Sequence, residues 1–336
     1  MLLLSAQYHL SKARGSARQR QVITLARQER RIRAAFGTFL AQARAPKSLR
    51  EINAALNATN LNAATDTVLQ HVAVLGRALP QAFVDAAAAE ADAIVAKVPG
   101  LAKAKAVTAQ IAVGFDPSNA RAASLMRNAQ LQFVQQFTSA QRDAVRVAMA
   151  RAYRTGAGTR EAARAFRDSI GLTATQMDAV NSYRDLLEAG SKEALNRELR
   201  DRRYDRTVTR AARDSEPLDA QQIDRMVARY QANMLASRAD TIARTEGLAV
   251  IGEARQEALR QIVEQAGFDP ENVRRVWVTT HDGRERKSHY DMDGQTVGLD
   301  EPFVTPDGEE LMYPGDPSAS AAERINCRCS VTTDFL

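Results

Sequence analysis

The side chains with the widest chemistry are concentrated in the last seventy residues of the chain. This stretch contains both cysteines, the single tryptophan and two of the four histidines. Cys327 and Cys329 are two positions apart, and His281 and His289 lie upstream of them. Thiol and imidazole groups can bind zinc, act as a nucleophile and its base, or pack as uncharged side chains. We therefore expect chemistry or tight recognition in this segment.

Zinc binding and packed free thiols are both consistent with these residues. The candidate zinc ligands are a histidine and both cysteines, completed by a second histidine or an aspartate: His289, Cys327, Cys329, His281, Asp282 and Asp293. Cys-x-Cys is a weaker zinc signature than Cys-x-x-Cys, so we favour free thiols packed beside a His289 that is hydrogen-bonded to Asp282, with no cofactor. A disulfide is disfavoured, because an extended chain separates the Cα atoms at this spacing by roughly 6.5–7 Å.

Asp282, Arg286 and His289 are predicted to share one face of a short helix. Their i, i+4 and i+7 spacing places them within about 60° of one another around a helix axis. A carboxylate, a guanidinium and an imidazole near two thiols could support hydrolysis or transfer. The chain has no His-Glu-x-x-His, Gly-x-Ser-x-Gly or Walker sequence. We therefore predict that the protein is not an enzyme, and keep an enzymatic or metal-binding module as the alternative.

The elements that would position these side chains form a small α+β module at 268–336. The apolar run from Val273 to Val278, which includes Trp277, is typical of a strand. Asp293-Gly294 predicts a turn into a further strand. The segment from Ile325 to Thr332 also has strand character. Short strands separated by turn residues favour a small sheet packed on one or two helices.

Helical patterns rich in Ala, Arg, Leu and Gln dominate the chain before this module. We predict a mainly α protein with extended helical N-terminal and middle regions and a small C-terminal α+β module. The predicted regions are a basic helical arm at 1–115, a helical body at 116–267 and the module at 268–336. From Asp219 the helical period continues to Gly267. A helix of that length is uncommon in a globular domain, so we expect an interruption between Ser237 and Gly252.

The N-terminal arm is strongly basic. Between Lys12 and Arg50 the chain has eleven Lys or Arg residues and one acid, Glu29, within a protein of net charge +6. Apolar residues recur at helical spacing from Leu25 to Leu40, and arginines cover much of the remaining surface: Arg18, Arg20, Arg27, Arg30, Arg31 and Arg33. The pattern indicates either a helix docked on the body with a solvated charged face, or a contact with DNA or an acidic partner ring.

A helix-turn-helix pattern occurs between Thr159 and Leu187, with the turn at Gly171. The polar side chains that could read bases are few and are spread around the second helix: Gln176, Asn181 and Arg184. We favour simple helix packing, and keep a sequence-specific DNA-binding protein as the alternative.

A set of unusual residues occurs in a fixed order through the C-terminal part of the chain. It comprises Ala243-Arg244-Thr245-Glu246, Trp277, Asp282, Arg286, His289, Asp293-Gly294-Gln295, Phe303, Gly308, Tyr313-Pro314-Gly315-Asp316-Pro317 and Asn326-Cys327-Arg328-Cys329. From about Gly171 onward the chain resembles the phage head morphogenesis family typified by the F protein of phage Mu. The resemblance implies that these residues form a structural recognition module. It also implies that Arg244 and Glu246 face this module in a buried or half-buried ion pair.

The resemblance further implies a function, partners and a location. It implies a structural minor head protein that associates with the portal vertex and DNA during head assembly. The expected partners are the portal protein, major capsid or scaffold proteins and, non-specifically, packaged double-stranded DNA. The expected location is the virion, in the capsid interior or at the portal vertex, after assembly in the cytoplasm of a host bacterium. No window has eighteen consecutive apolar residues, and the first residues lack a basic region, so we expect neither a membrane span nor a secretory signal.

Overall fold

The computed structural model describes the backbone of residues 2–98, 113–214 and 216–336, and the side chains from residue 19 onward within those ranges. Two parts of the predicted basic arm lie outside the described residues. These are the side chain of Arg18 and the segment 99–112.

Helices make up 69% of the structure, which confirms the mainly α prediction. The helices, in chain order, are α1 (Leu2–Ala43), α2 (Pro46–Asn57), α3 (Leu61–Leu69), α4 (Ala73–Gly76), α5 (Ala78–Lys97), α6 (Ala120–Arg154), α7 (Thr159–Ser169), α8 (Ala174–Glu188), α9 (Asp205–Asp214), α10 (Ala220–Ala266), α11 (Lys287–Asp291) and α12 (Ala321–Arg324). Short 3₁₀ turns occur at Lys192–Asn196, Arg202–Tyr204 and Pro270–Asn272. The strands are β1 (Val273–Val278), β2 (Thr296–Val297), β3 (Phe303–Val304), β4 (Glu310–Leu311) and β5 (Ser330–Phe335).

The chain divides into two compact units, each assembled from segments that are distant in sequence. Unit 1 comprises Met1–Ala34, Gly76–Leu131 and Thr241–Leu336, and unit 2 comprises Ala35–Leu75 and Gln132–Asp240. The long helices α1, α6 and α10 each contribute residues to both units. The units therefore do not follow the three consecutive regions of the sequence analysis, and that three-part division remains a prediction.

Aromatic side chains of α1 and α6 form part of the core of unit 2. The rings of Phe39 and Phe137 meet edge to face with centroids 5.1 Å apart. The guanidinium of Arg238 lies 4.7 Å above the Phe137 ring and donates to the Gly171 carbonyl at 2.8 Å. Gly171 has a φ of +86°, and a Cβ there would lie 2.5 Å from Cδ2 of Leu40. The turn between α7 and α8 therefore requires glycine.

Helix α10 is continuous over 47 residues, so the predicted interruption between Ser237 and Gly252 is wrong. Buried small and apolar side chains continue through this stretch, including Ala239, Ala243 and Leu248. Tertiary packing along the helix supports a length that local propensity alone would not.

The C-terminal α+β module contains two antiparallel sheets. Strand β1 pairs with β2 on one side and with β5 on the other, and β3 pairs with β4. The predicted strand from Val273 to Val278 is confirmed as β1. The last strand begins at Ser330, later than the predicted Ile325, so both cysteines lie in the loop that precedes it.

Arg275 anchors this module from inside strand β1, where it is 1% exposed. Its guanidinium donates to the carbonyls of Gly298, Met312 and Glu301 and to the side chain of Gln256 in α10. Burial lowers the pKa of Arg275 to about 10, so the group stays charged at neutral pH. The buried guanidinium of Arg275 thereby connects β1 to three loop carbonyls and to helix α10.

The segment Leu61–Lys97 has the length and mean hydropathy, 1.2, of a membrane-spanning helix by composition. In the structure this segment is divided among α3, α4 and α5, and 44% of its most apolar window is buried inside the protein. Core helices of folded proteins satisfy the same criterion, so the segment is weak support for a span. The expected absence of a membrane span stays a prediction.

Candidate functional site

His289, Cys327 and Cys329 form a compact cluster in the C-terminal module. The Nδ1 atom of His289 lies 3.5 Å from Sγ of Cys327 and 3.5 Å from Sγ of Cys329. The three atoms lie within 4.8 Å of one another, and all three side chains are buried. Both cysteines are free thiols. A hydrogen bond between the thiols lowers the pKa of Cys327 and, together with burial, raises that of Cys329.

Packing from β1 and α10 holds the cluster in place. The backbone carbonyl of His289 accepts a 2.6 Å hydrogen bond from the Thr279 hydroxyl, at the end of β1. The Trp277 ring, fully buried, meets the imidazole edge to face at 5.2 Å between centroids. Asn326 adopts a φ of +57°, and its N–H donates to the Thr245 hydroxyl of α10 at 3.2 Å. This turn directs the chain back past the histidine, which brings both thiols to it.

Glu323 of α12 lies on the opposite edge of the histidine ring. Its Oε2 is 2.8 Å from Nε2 of His289, within ion-pair range although the angle is not that of an aligned hydrogen bond. The Ser288 hydroxyl donates to the same carboxylate at 3.0 and 3.2 Å. The prediction that Asp282 is the partner of His289 is therefore wrong. Because the Glu323 carboxylate lies beside Nε2, Nδ1 is the ring nitrogen of His289 that faces the thiols.

Asp282, Arg286 and His289 do not share a helical face, contrary to the sequence prediction. Helix α11 begins one residue after Arg286, which is extended at φ −69° and ψ 148°. Gly283, with a φ of +74°, interrupts the segment before it. Asp282 therefore lies in a turn, where it accepts a hydrogen bond from Arg328 at 3.1 Å. Asp282 is therefore connected to the cysteine loop by its hydrogen bond with Arg328, and not by a bond with His289.

Asp293 and Gly294 shape the turn that leads into β2. One carboxylate oxygen of Asp293 accepts from the Thr279 N–H at 2.8 Å, and the other lies 3.1 Å from Nε2 of His281. Gly294 has a φ of +81°, and its N–H donates to the Trp277 carbonyl at 2.9 Å. His281 and Asp293, two candidate fourth zinc ligands, thus engage each other and are not part of the His–Cys cluster.

Arg244 and Glu246 of α10 have different partners. Glu246 accepts from Nη2 of Arg324 at 2.8 and 2.9 Å, and burial raises the pKa of Glu246. Arg244 lies 3.3 Å from Glu29 of α1. Glu246 therefore ties the long helix to the C-terminal module, whereas Arg244 pairs with the N-terminal helix. The two residues do not pair with each other.

A cavity of about 320 Å³ opens onto the His–Cys cluster. Its charged wall residues, apart from the histidine and the thiols, are four arginines and one acid: Arg244, Arg284, Arg286, Arg328 and Glu285. Three of these arginines are paired with acids, Arg244 with Glu29 and both Arg284 and Arg328 with Asp282. The smaller net positive charge that remains in this arginine-lined cavity favours an anionic group there.

The arginines predicted on α1 divide into a paired group and an exposed group. Arg31 pairs with Asp85 of α5 at 2.9 Å. The exposed arginines are Arg20, Arg27, Arg30 and Arg33. On the opposite side of the helix, Ile32 and Phe36 are buried. Helix α1 is therefore docked through its apolar face and keeps a charged face in solvent.

Helices α7 and α8 follow the helix-turn-helix order, but polar side chains of the second helix are already engaged. The Gln176 side chain accepts from the Thr173 N–H at 3.1 Å and caps its own helix. Arg184 forms an ion pair with Asp224 of α10 at 2.7 Å. These contacts favour helix packing over base reading.

Sequence reasoning did not identify Glu323, Arg324 or Arg275. Glu323 and Arg324 are adjacent charges in a four-residue helix, a pattern typical of an exposed surface. The signal for Arg275 was present, because a cation inside an apolar strand must find buried partners.

Fold and site together define a mainly helical protein with a compact C-terminal α+β module. The chain belongs to the phage Mu protein F like family, whose sequence profile matches residues 143–332, more than half of the chain. The matched region begins before Gly171, the residue from which the sequence motifs indicated the resemblance. This family consists of structural proteins of phage head morphogenesis, so the protein is a virion-associated head protein.

One relative among curated proteins matches a shorter part of the chain. The uncharacterized protein YqbB of Bacillus subtilis (strain 168) is 37% identical over 97 residues, which cover 27% of this chain and 29% of the relative. The match thus spans less than a third of that relative's length. No solved structure matches the chain.

Proposed function

We propose that this protein is a minor head component that associates with the portal vertex and with packaged double-stranded DNA during head assembly. Membership of the phage Mu F-like family supports the role in the head. The observation that supports the DNA contact is the exposed charged face of α1. This contact is sequence-independent, because it involves phosphates and no base edges.

Arg20, Arg27 and Arg30 form a stripe along α1. Their i, i+7 and i+10 spacing places them within about 80° of one face and over about 15 Å of the helix axis. All three are exposed, and among the described residues the structure gives them no ion pair. Guanidinium groups without protein partners bind phosphate oxygens through paired N–H donors, and the helix holds these three in a row.

Salt dependence of DNA binding tests this contact. Three phosphate contacts give a slope of about −3 for the logarithm of the binding constant against the logarithm of salt concentration, at about 0.9 per contact. Arg27→Gln reduces the slope by about one. Arg31→Gln is the matched control, because it removes the same charge from the same helix at a residue already paired with Asp85.

Two unrelated DNA duplexes of equal length should bind with equal affinity. A large difference between the duplexes would favour the sequence-specific alternative. A slope near zero, or an equal loss in Arg27→Gln and Arg31→Gln, contradicts binding through the stripe.

The arginine-lined cavity supports the portal contact, because its charge suits an acidic protein surface. Co-sedimentation with purified portal rings measures this association, with major capsid and scaffold proteins as the other partners. Arg284→Glu should weaken it, since Arg284 is 75% exposed at the cavity. Arg213→Glu is the control, a 70% exposed arginine in unit 2. If the protein neither co-sediments with portal rings nor enters procapsids assembled in its presence, the proposal fails.

A further inference from the structure

We propose that His289, Cys327 and Cys329 bind one zinc ion through Nδ1 and the two Sγ atoms, with the fourth coordination position open to the arginine-lined cavity. This site does not depend on the portal or DNA contacts proposed above. It rests on the distances among the three ligand atoms, on the carboxylate behind the histidine and on the cavity in front of the cluster.

The ligand atoms have the spacing of a tetrahedral zinc site. Zinc binds thiolate at about 2.3 Å and imidazole nitrogen at about 2.0–2.1 Å, so tetrahedral angles separate a nitrogen from a sulfur ligand by roughly 3.5–3.6 Å. The two distances in the structure are 3.5 and 3.5 Å. The same geometry separates two sulfurs by roughly 3.8 Å, inside the 4.8 Å that encloses all three atoms. The spacing of the three ligand atoms is therefore compatible with one tetrahedral zinc ion.

A single hydrogen bond at Nδ1 does not account for both short contacts with that atom. A neutral imidazole with its proton on Nε2 has a single lone pair at Nδ1, which accepts one well-directed hydrogen bond. Here two sulfurs lie at the same distance from that one atom. Two thiols and an imidazole grouped this closely are a ligand set for one shared cation.

Glu323 lies where the carboxylate partner of a metal-bound histidine usually lies, next to the ring nitrogen that does not bind the metal. A metal-ligating histidine commonly donates its other ring N–H to a carboxylate, which fixes the tautomer and the ring orientation. Glu323 lies 2.8 Å from Nε2 of His289 and is itself held by Ser288. This arrangement favours the proton on Nε2 and leaves the Nδ1 lone pair toward the thiols.

The fourth position is left to a water molecule or to a ligand in the cavity. Asp282 is bound to Arg328, and His281 to Asp293, so none of these completes the site. The cavity of about 320 Å³ is in contact with all three ligand residues. Binding forms two zinc–sulfur bonds and one zinc–nitrogen bond and releases two thiol protons to solvent. The ion would join α11 to the cysteine loop and close the module.

Metal analysis of the full-length chain tests the site without any substitution. Protein purified under reducing conditions should contain one zinc per chain. Chelator-treated protein should take up one zinc or one cobalt ion, and the cobalt form should show thiolate-to-metal charge-transfer absorption in the near ultraviolet. A folded chain that binds neither metal at micromolar concentration, or a cobalt form without thiolate absorption, overturns the proposal.

Substitutions then separate ligands from neighbours. Cys329→Ser should lose zinc binding. Glu323→Gln keeps all three ligands, so it should fold and bind zinc with about 10- to 100-fold lower affinity. His281→Asn is the matched control, because this histidine is close in sequence and paired with Asp293, outside the cluster. Unchanged zinc affinity in Glu323→Gln, or an equal loss in His281→Asn, overturns the assignment.

Discussion

Replacing Gly252 with alanine tests how closely the C-terminal module packs on α10. A Cβ at this position would lie 2.4 Å from Cδ2, 2.8 Å from Cγ and 3.1 Å from Cβ of Tyr313. These atoms are the root and inner edge of the ring and cannot move aside as a flexible side-chain end would. Burial raises the pKa of Tyr313 well above its ordinary value, which reflects how enclosed this ring is.

Two opposing effects determine the size of the change. Replacing glycine with alanine inside a helix raises the free energy of unfolding by about 1 kcal/mol. Overpacking a filled contact costs about 1–3 kcal/mol, and two separations below 3.0 Å place Gly252→Ala at the upper end. We therefore expect a net loss of about 2 kcal/mol in the free energy of unfolding.

Gly247→Ala is the control in the same helix and the same unit. Its Cβ would meet Cδ1 of Leu25 at 3.4 Å, an ordinary contact. We expect it to gain about 0.5–1 kcal/mol from helix propensity. Urea unfolding should be followed by far-ultraviolet circular dichroism and by the fluorescence of Trp277, the single tryptophan, which reports on the module itself. If Gly252→Ala is as stable as the wild type, the close contact between α10 and Tyr313 is refuted.

Two further predictions concern buried charges. Burial, Asp316 and Glu257 raise the pKa of Glu253 to about 7 in the folded protein, so the folded state holds this proton more tightly than the unfolded chain does. The resulting stability is fully present below the ordinary pKa of 4.5 and is lost as the pH rises toward 7. Between pH 4.5 and 8, the free energy of unfolding of Glu253→Gln should therefore vary by about 1–3 kcal/mol less than that of the wild type. The same pH dependence in variant and wild type would contradict the raised pKa of Glu253. Arg324→Gln should lower the free energy of unfolding by about 3 kcal/mol, because it leaves the buried charge of Glu246 without a partner. Adding Glu246→Gln should restore part of that loss in urea unfolding, and a double variant no more stable than the single one counts against the buried pair.

The helical period showed the mainly α fold and the apolar face of α1 from the sequence alone. It did so because a helix places residues three and four apart on one side, and those residues are neighbours in the chain. The same local information failed at α10, where packing of residues such as Ala243 keeps the helix continuous. It also failed between Asp282 and His289, where the spacing fits a helix but the backbone at Gly283 takes a positive φ.

The sequence by itself determined the types of side chain available in the module, the strand that holds Trp277 and the resemblance to a family of phage head proteins. Only the tertiary structure decided which partners those side chains meet. His289 faces Glu323 on one edge and two thiols on the other, and Glu246 faces Arg324. Each of these pairs joins residues that are more than thirty positions apart in the chain. Their contact depends on the path of the loops between them, and no local periodicity records that path.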